Sequence, residues 1–251
     1  MQGQDGIVSP DQRTTIRHVS ANRGVEWISA GFTLFMKKPA EFAIAGVLLF
    51  VGRFILNYID LIGDGLTTML GVVAVGAFMF ACKAIEDGQD PIAAAQKALA
   101  VTPLIILGLV AAAIGIAVGI LSTAMVAMVF GLAFISPFFA VGMGALTGLF
   151  MMLISIPMIM ALWLAPGLVV MKGTQPIEAI RLSFAASIKN FVPFIIFYVL
   201  AAVASFVGSL LFGLGLIVVF PVLMCATYVA YKDIFASVTD GEAIALVQEA
   251  S

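Results

Sequence analysis

Charge is what this sequence has least of. Its 251 residues hold 12 Lys+Arg and 14 Asp+Glu, 10% charged, where a soluble domain carries about 25%. So few cannot clothe a surface that faces water. The balance is also nearly even, with a formal net charge of -2, which excludes the basic footprint of a nucleic-acid binder. One His and two Cys far apart in the chain leave no material for an ordinary metal site, so no metal and no cofactor are expected. No nucleophile stands beside a base, and there is no Gly-rich phosphate loop and no paired carboxylate in a plausible setting, so no catalytic residue is nominated and the chain reads as a non-enzyme. The first 24 residues are polar and lack an apolar h-region, so no cleavable signal peptide is expected.

What is there in excess is apolar: 63% of the residues, with a mean hydropathy of +1.17. The solvent is lipid. A spanning helix needs about 20 apolar residues to cross roughly 30 Å of hydrocarbon, so charge-free runs locate the spans. Residues 98–171 form a run of 74 without a charge, and 190–231 a run of 42. The second holds two helices, 192–212 and 215–232, reversing at Gly213-Leu214-Gly215. The first has room for two long spans or three short ones.

Parity decides between them, because Lys and Arg near span ends favour the cytoplasmic side. Two crossings put Arg13, Arg17, Arg23, Lys37, Lys38, Lys83, Lys97, Lys172, Arg181, Lys189 and Lys232 on one side, leaving only Arg53 apart. Three crossings would scatter them. The run is therefore read as helices at 102–124 and 143–170 with a connector around Phe134-Ile135-Ser136-Pro137. Helices at 40–59 and 66–84 make the first pair. The expectation is an all-α integral membrane protein of six transmembrane helices arranged as three hairpins, multi-pass in a bacterial inner membrane, with both termini cytoplasmic. Residues 1–24 read as a polar, disordered tail, 25–235 as the membrane domain and 236–251 as a short C-terminal tail.

An internal repeat supports the division into hairpins. Gly88-x-x-Pro91-Ile92-x-Ala94 and Gly173-x-x-Pro176-Ile177-x-Ala179 recur at an offset of 85 residues, each with a Pro suited to the first helical position. After the second, Ile177, Ile180, Phe184, Ile188 and Phe191 fall at spacings of three and four, the stripe of an amphipathic helix at the headgroup boundary. A third such helix is read at 25–36. Each hairpin thus has a cytoplasmic amphipathic helix in front of it. The candidate interfacial contact face comprises Trp27, Phe32, Phe35, Ile177, Ile180, Phe184 and Ile188, with membrane lipids as the partner, or a protein docking on the same helices.

The opening block Gly24-x-x-Trp27-Ile28-x-x-Gly31-Phe32-x-Leu34-Phe35-x-x-x-Pro39 resembles that of an uncharacterised family of proteobacterial six-helix inner-membrane proteins. By organisation, residues 22–235 also resemble, more loosely, the membrane domain of glycerophosphodiester phosphodiesterases. The resemblance implies a six-span fold in a bacterial inner membrane and no reaction.

Arg53 lies deep in the first span, with Asn57 and Asp60 on the same helix face and Asp64 just past the turn. A guanidinium in hydrocarbon needs a partner or water, so Arg53, Asn57, Asp60 and Asp64 form the candidate intramembrane polar site. Two readings are open: an Arg that snorkels to pair with Asp60 or Asp64, or a transport or channel site. Pro157, Pro166 and Pro221 interrupt spans, as in transporters whose broken helices line binding sites. Cys82 and Cys225 read as free thiols used as small apolar groups. The clustered Met151, Met152, Met158 and Met160 read as packing material, and Tyr58, Trp163, Tyr228 and Tyr231 as an aromatic belt.

Overall fold

A computed structural model describes residues 15–56, 60–210 and 213–235, apart from the side chains of 60–64. Among the described residues there are ten helices and no strand: α1 (Arg23–Phe35), α2 (Pro39–Leu56), α3 (Asp60–Glu86), α4 (Pro91–Leu99), α5 (Thr102–Ile135), α6 (Pro137–Leu162), α7 (Ala165–Lys172), α8 (Pro176–Lys189), α9 (Phe191–Leu210) and α10 (Leu216–Phe235). Six segments are long and apolar enough to cross a bilayer: α2, the Gly65–Glu86 part of α3, α5, α6 with α7, α9, and α10. The chain is an all-α integral membrane protein built from three helical hairpins. A short helix precedes each one: α1 before α2–α3, α4 before α5–α6, and α8 before α9–α10.

The repeat has the same geometry in both copies. Gly88 and Gly173 adopt φ of 69° and 64°, a left-handed turn that favours glycine after a helix. Asp90 and Gln175 are extended, with ψ of 116° and 146°, and each hands the chain to a Pro at the first helical position. Pro91 and Pro176 are buried, as are Ala94 and Ala179, while Ile92 and Ile177 both turn outwards. Each shared residue thus does the same job twice: turn, start, core contact and outward anchor.

The central hairpin is longer than expected. The two-crossing reading holds, but α5 and α6 run as helices through the anticipated connector and break only at Ser136. Ser136 is extended (φ -155°, ψ 111°), because the ring of Pro137 disfavours the helical conformation in the residue before it. No Gly-Pro cluster, charge or cap lies earlier to stop α5. In the return span the interruption falls at Trp163–Leu164, before Pro166, which has no N–H to give. The freed backbone is satisfied from α8: Ser183 Oγ accepts from Leu164 N at 3.0 Å and donates to Met160 O at 2.9 Å, and Ser187 Oγ donates to Met160 O at 3.1 Å. Pro157 lies inside α6 and Pro221 inside α10 without ending either helix. The broken span is thus sealed by buried serines of α8.

One end of the bundle gathers the basic residues. Lys232 Nζ and Tyr228 OH both donate to Glu86 Oε2, at 2.7 and 2.8 Å. Lys172 Nζ donates to Phe235 O at 3.1 Å, and Lys189 Nζ to Ile16 O. Arg23 pairs with Asp233, its Nε at 2.7 Å. The last residues of the expected N-terminal tail take part: Arg17 N donates to Ile234 O at 2.9 Å. The side chain of Asn190, 1% exposed, accepts from Val19 N and donates to Arg17 O. Residues 15–22 are thereby strapped across the ends of α9 and α10, whereas 1–14 and 236–251 lie outside the described residues.

Candidate functional site

The expected contact face divides. On α8 the residues turned to the protein are small or polar, Ala179, Ser183, Ala186 and Ser187, all buried. Ile177, Phe184 and Ile188 are exposed on the other side, with Ile180 half-buried. That apolar stripe is free to meet lipid or a partner. On α1 the assignment changes. Trp27 and Phe35 are in the core, at 0% and 4% exposure, and of the α1 candidates only Phe32 is exposed, at 49%.

The reason is packing partner, not amphipathicity. α1 is wedged against α9 and α10: a Cβ on Gly31 would stand 2.5 Å from Ala226 N, and one on Gly24 would stand 2.5 Å from Pro193 O. Glycines let the backbones approach this closely, and Trp27 fills the space between. Its ring lies 5.9 Å from Trp163 and 6.4 Å from Phe197, and its Nε1–H donates to Asp233 at 2.6 Å. Asp233 thus holds Trp27 and Arg23 together. Its carboxylate, chiefly through the side-chain hydrogen bond, pushes the Arg23 pKa up from its ordinary value. With the folded value raised, the guanidinium's contribution is present below its ordinary pKa and is lost as the pH climbs through the raised one. Trp163 is likewise a core residue and not a belt anchor, 7% exposed and 4.9 Å from Phe194.

The candidate intramembrane polar site stands otherwise. Arg53 is exposed in the last turn of α2, at the end of that helix away from Lys37 and Lys38. Asn57 and the side chains of Asp60 and Asp64 lie outside the described residues.

Instead, a concave feature that the sequence did not single out lies between α2, α3 and α4. A groove of about 260 Å³ runs between Ala45 and Leu48 of α2, Ala77 and Ala81 of α3, and Ile92, Ala95 and Leu99 of α4. Its floor is the stacked pair Phe42 and Phe78, ring centroids 5.8 Å apart, braced by Phe35 at 6.2 Å and Phe220 at 6.0 Å. Small residues on three helices leave the space, and the aromatic row keeps it from collapsing. Polar groups are confined to the mouth: Glu41 and Gln96 line it, Lys38 Nζ pairs with Glu41 at 3.2 Å, and Asp90 is near enough to act on Glu41 electrostatically. Because α2 and α3 are both spanning helices, the groove is a lateral one, apolar along its length and charged at one end.

Two further pairings join residues remote in sequence. Cys82 and Cys225, both fully buried free thiols, meet with sulfurs 2.9 Å apart and join α3 to α10. Trp163 Nε1–H donates to Thr227 Oγ1 at 3.3 Å. No local pattern announces either, because each depends on which helices become neighbours. Comparison of the chain with family models, with curated proteins and with solved structures finds no match.

Proposed function

We propose that this protein is a non-enzymatic lipid-organising module of a bacterial inner membrane, which takes one acyl chain of a phospholipid into the lateral groove between α2, α3 and α4. The groove is the observation that carries the reading. It has the form that lipid demands, with an apolar trough reachable from the hydrocarbon and paired charges at the level where a headgroup sits. The outward stripe of Ile177, Phe184 and Ile188 on α8 supplies a second lipid contact at the same basic end. The Lys and Arg gathered there support, through the positive-inside tendency, the reading that this end, the short helices and both termini are cytoplasmic. The family resemblance of the opening block supports the same membrane.

The test is occupancy. The protein is reconstituted with a phospholipid carrying a photoactivatable diazirine in its acyl chain, and crosslinked peptides are mapped. The native protein is expected to concentrate label on α2, α3 and α4. Ala45→Trp with Ala95→Trp, which fills the trough, is expected to lower that label at least ten-fold with the unfolding midpoint unchanged. Undiminished labelling of those three helices in the filled variant would overturn the reading.

A further inference from the structure

The α5–α6 hairpin is too long for the bundle that carries it, and the mismatch can be placed by register. Three contacts align α5 with α3. A Cβ on Gly76 would meet Leu104, Gly108 lies against Met69 and Val73, and Gly65 lies against Ile116. α3 has 27 residues, about 40 Å at 1.5 Å per residue, of which the Gly65–Glu86 part, 22 residues or about 33 Å, amounts to one hydrocarbon thickness. α9 and α10, at 20 residues each, come to about 30 Å. By the level of Gly65, α5 has reached only Ile116. A further 19 residues, 117–135, carry it about 28 Å beyond.

Nothing in that extension marks an aqueous end. There is no charge from 98 to 171, and the tip exposes Phe134 at 91%, Ile135 at 82% and Phe138 at 86%. The buried residues of α5 stop at Ala112. Taken whole, the 34 residues of α5 span about 51 Å, more than the roughly 40–45 Å of a bilayer with its headgroups. An upright hairpin would hold a phenylalanine-rich tip in water.

We infer that the distal half of the α5–α6 hairpin is a lipid-embedded arm, inclined so that its tip stays within the hydrocarbon of the far leaflet, with phospholipid acyl chains as its occupant. The distribution of the exposed side chains selects lipid over a second copy of the chain. Ile120, Leu121, Val126, Met128, Phe130 and Phe134 of α5 are all exposed, and at 100° per residue they spread over about 220° of the helix, far wider than one stripe. A protein partner covers one side; hydrocarbon covers all of them. Long spans accommodate a thinner bilayer by tilting. The arm therefore displaces far-leaflet chains on the α5–α6 flank of the molecule, beside shorter helices on the α2 and α10 flank. This inference is independent of the groove, which lies at the opposite end of α2 and α3.

A depth measurement tests it. Single variants Phe134→Cys, Phe138→Cys and Val141→Cys are labelled with an environment-sensitive fluorophore and reconstituted in phosphatidylethanolamine–phosphatidylglycerol vesicles. The native thiols are fully buried and stay unlabelled. Doxyl groups on the acyl chains are expected to quench all three labels at least three-fold more than aqueous iodide. Stronger quenching by iodide would place the tip in water and overturn the inference. Quenching by neither, with tip-to-tip crosslinks between copies, would overturn it in favour of self-association. Leu153→Cys, midway along α6 and 70% exposed, serves if a tip variant fails to insert.

Discussion

Gly31→Ala destabilises the protein by about 2–3 kcal/mol, although alanine is the better helix former. The added Cβ would stand 2.5 Å from Ala226 N and 2.6 Å from its Cα. Both are backbone atoms of α10 and cannot rotate aside, so α1 must move away from α10. Moving it loosens Trp27, Leu34 and Phe35, which are buried on the same face. The helix-propensity gain of about 1 kcal/mol offsets only part of this. Gly119→Ala in α5 makes the same chemical change where nothing lies within 4 Å, and it is expected to be neutral or stabilising by at most about 1 kcal/mol. Reversible unfolding in mixed micelles compares the two. Equal stability of both variants would mean that α1 does not pack on α10 at this distance.

Trp27→Ala is expected to cost about 3–5 kcal/mol, the range for deleting a buried aromatic side chain. The residue is 0% exposed, touches the rings of Trp163 and Phe197, and spends its one donor on Asp233. Trp27→Phe retains much of the packing and removes that hydrogen bond, so its cost falls to about 1–3 kcal/mol. A tryptophan anchoring a surface helix in the headgroup region predicts a different result. Both variants would then stay within about 1 kcal/mol of the native protein and shift membrane association instead. Unfolding midpoints, together with the emission maximum of the remaining Trp163, separate the two cases.

These two residues also show where the sequence was informative. The spacing of Trp27, Ile28, Gly31, Phe32, Leu34 and Phe35 pointed to a helix at 25–36, and the structure has one at Arg23–Phe35. The same spacing could not say whether the stripe meets lipid or protein, since both are apolar solvents to a side chain. In α8 the sequence stripe does face outwards, because Ala179, Ser183 and Ala186 occupy the protein side. In α1 the glycines invert the outcome by admitting α10. Charge counting located the spans well, because an ionised group cannot be left inside hydrocarbon. It set no limit on α5 and α6, whose extent depends on the helix breaker Ser136-Pro137 and not on bilayer thickness. The groove was invisible beforehand for a related reason: Ala45, Ala77, Ala81 and Ala95 are unremarked small residues until three helices bring them together. The strap over α9 and α10 was hidden likewise: Asn190 and Lys189, which hold it, stand in a sequence neighbourhood with no motif.

The account rests on six crossings whose basic ends share one compartment, and sided cysteine labelling tests that most directly. Lys97→Cys, Lys172→Cys and Arg53→Cys are introduced singly and exposed to a membrane-impermeant maleimide, first in intact cells and then in inverted vesicles. Positions 97 and 172 are expected to react only in inverted vesicles, and position 53 only from the outside. Reaction of 97 and 172 from opposite sides would contradict the account, since α5 and α6 could not then be the two arms of one hairpin across the membrane.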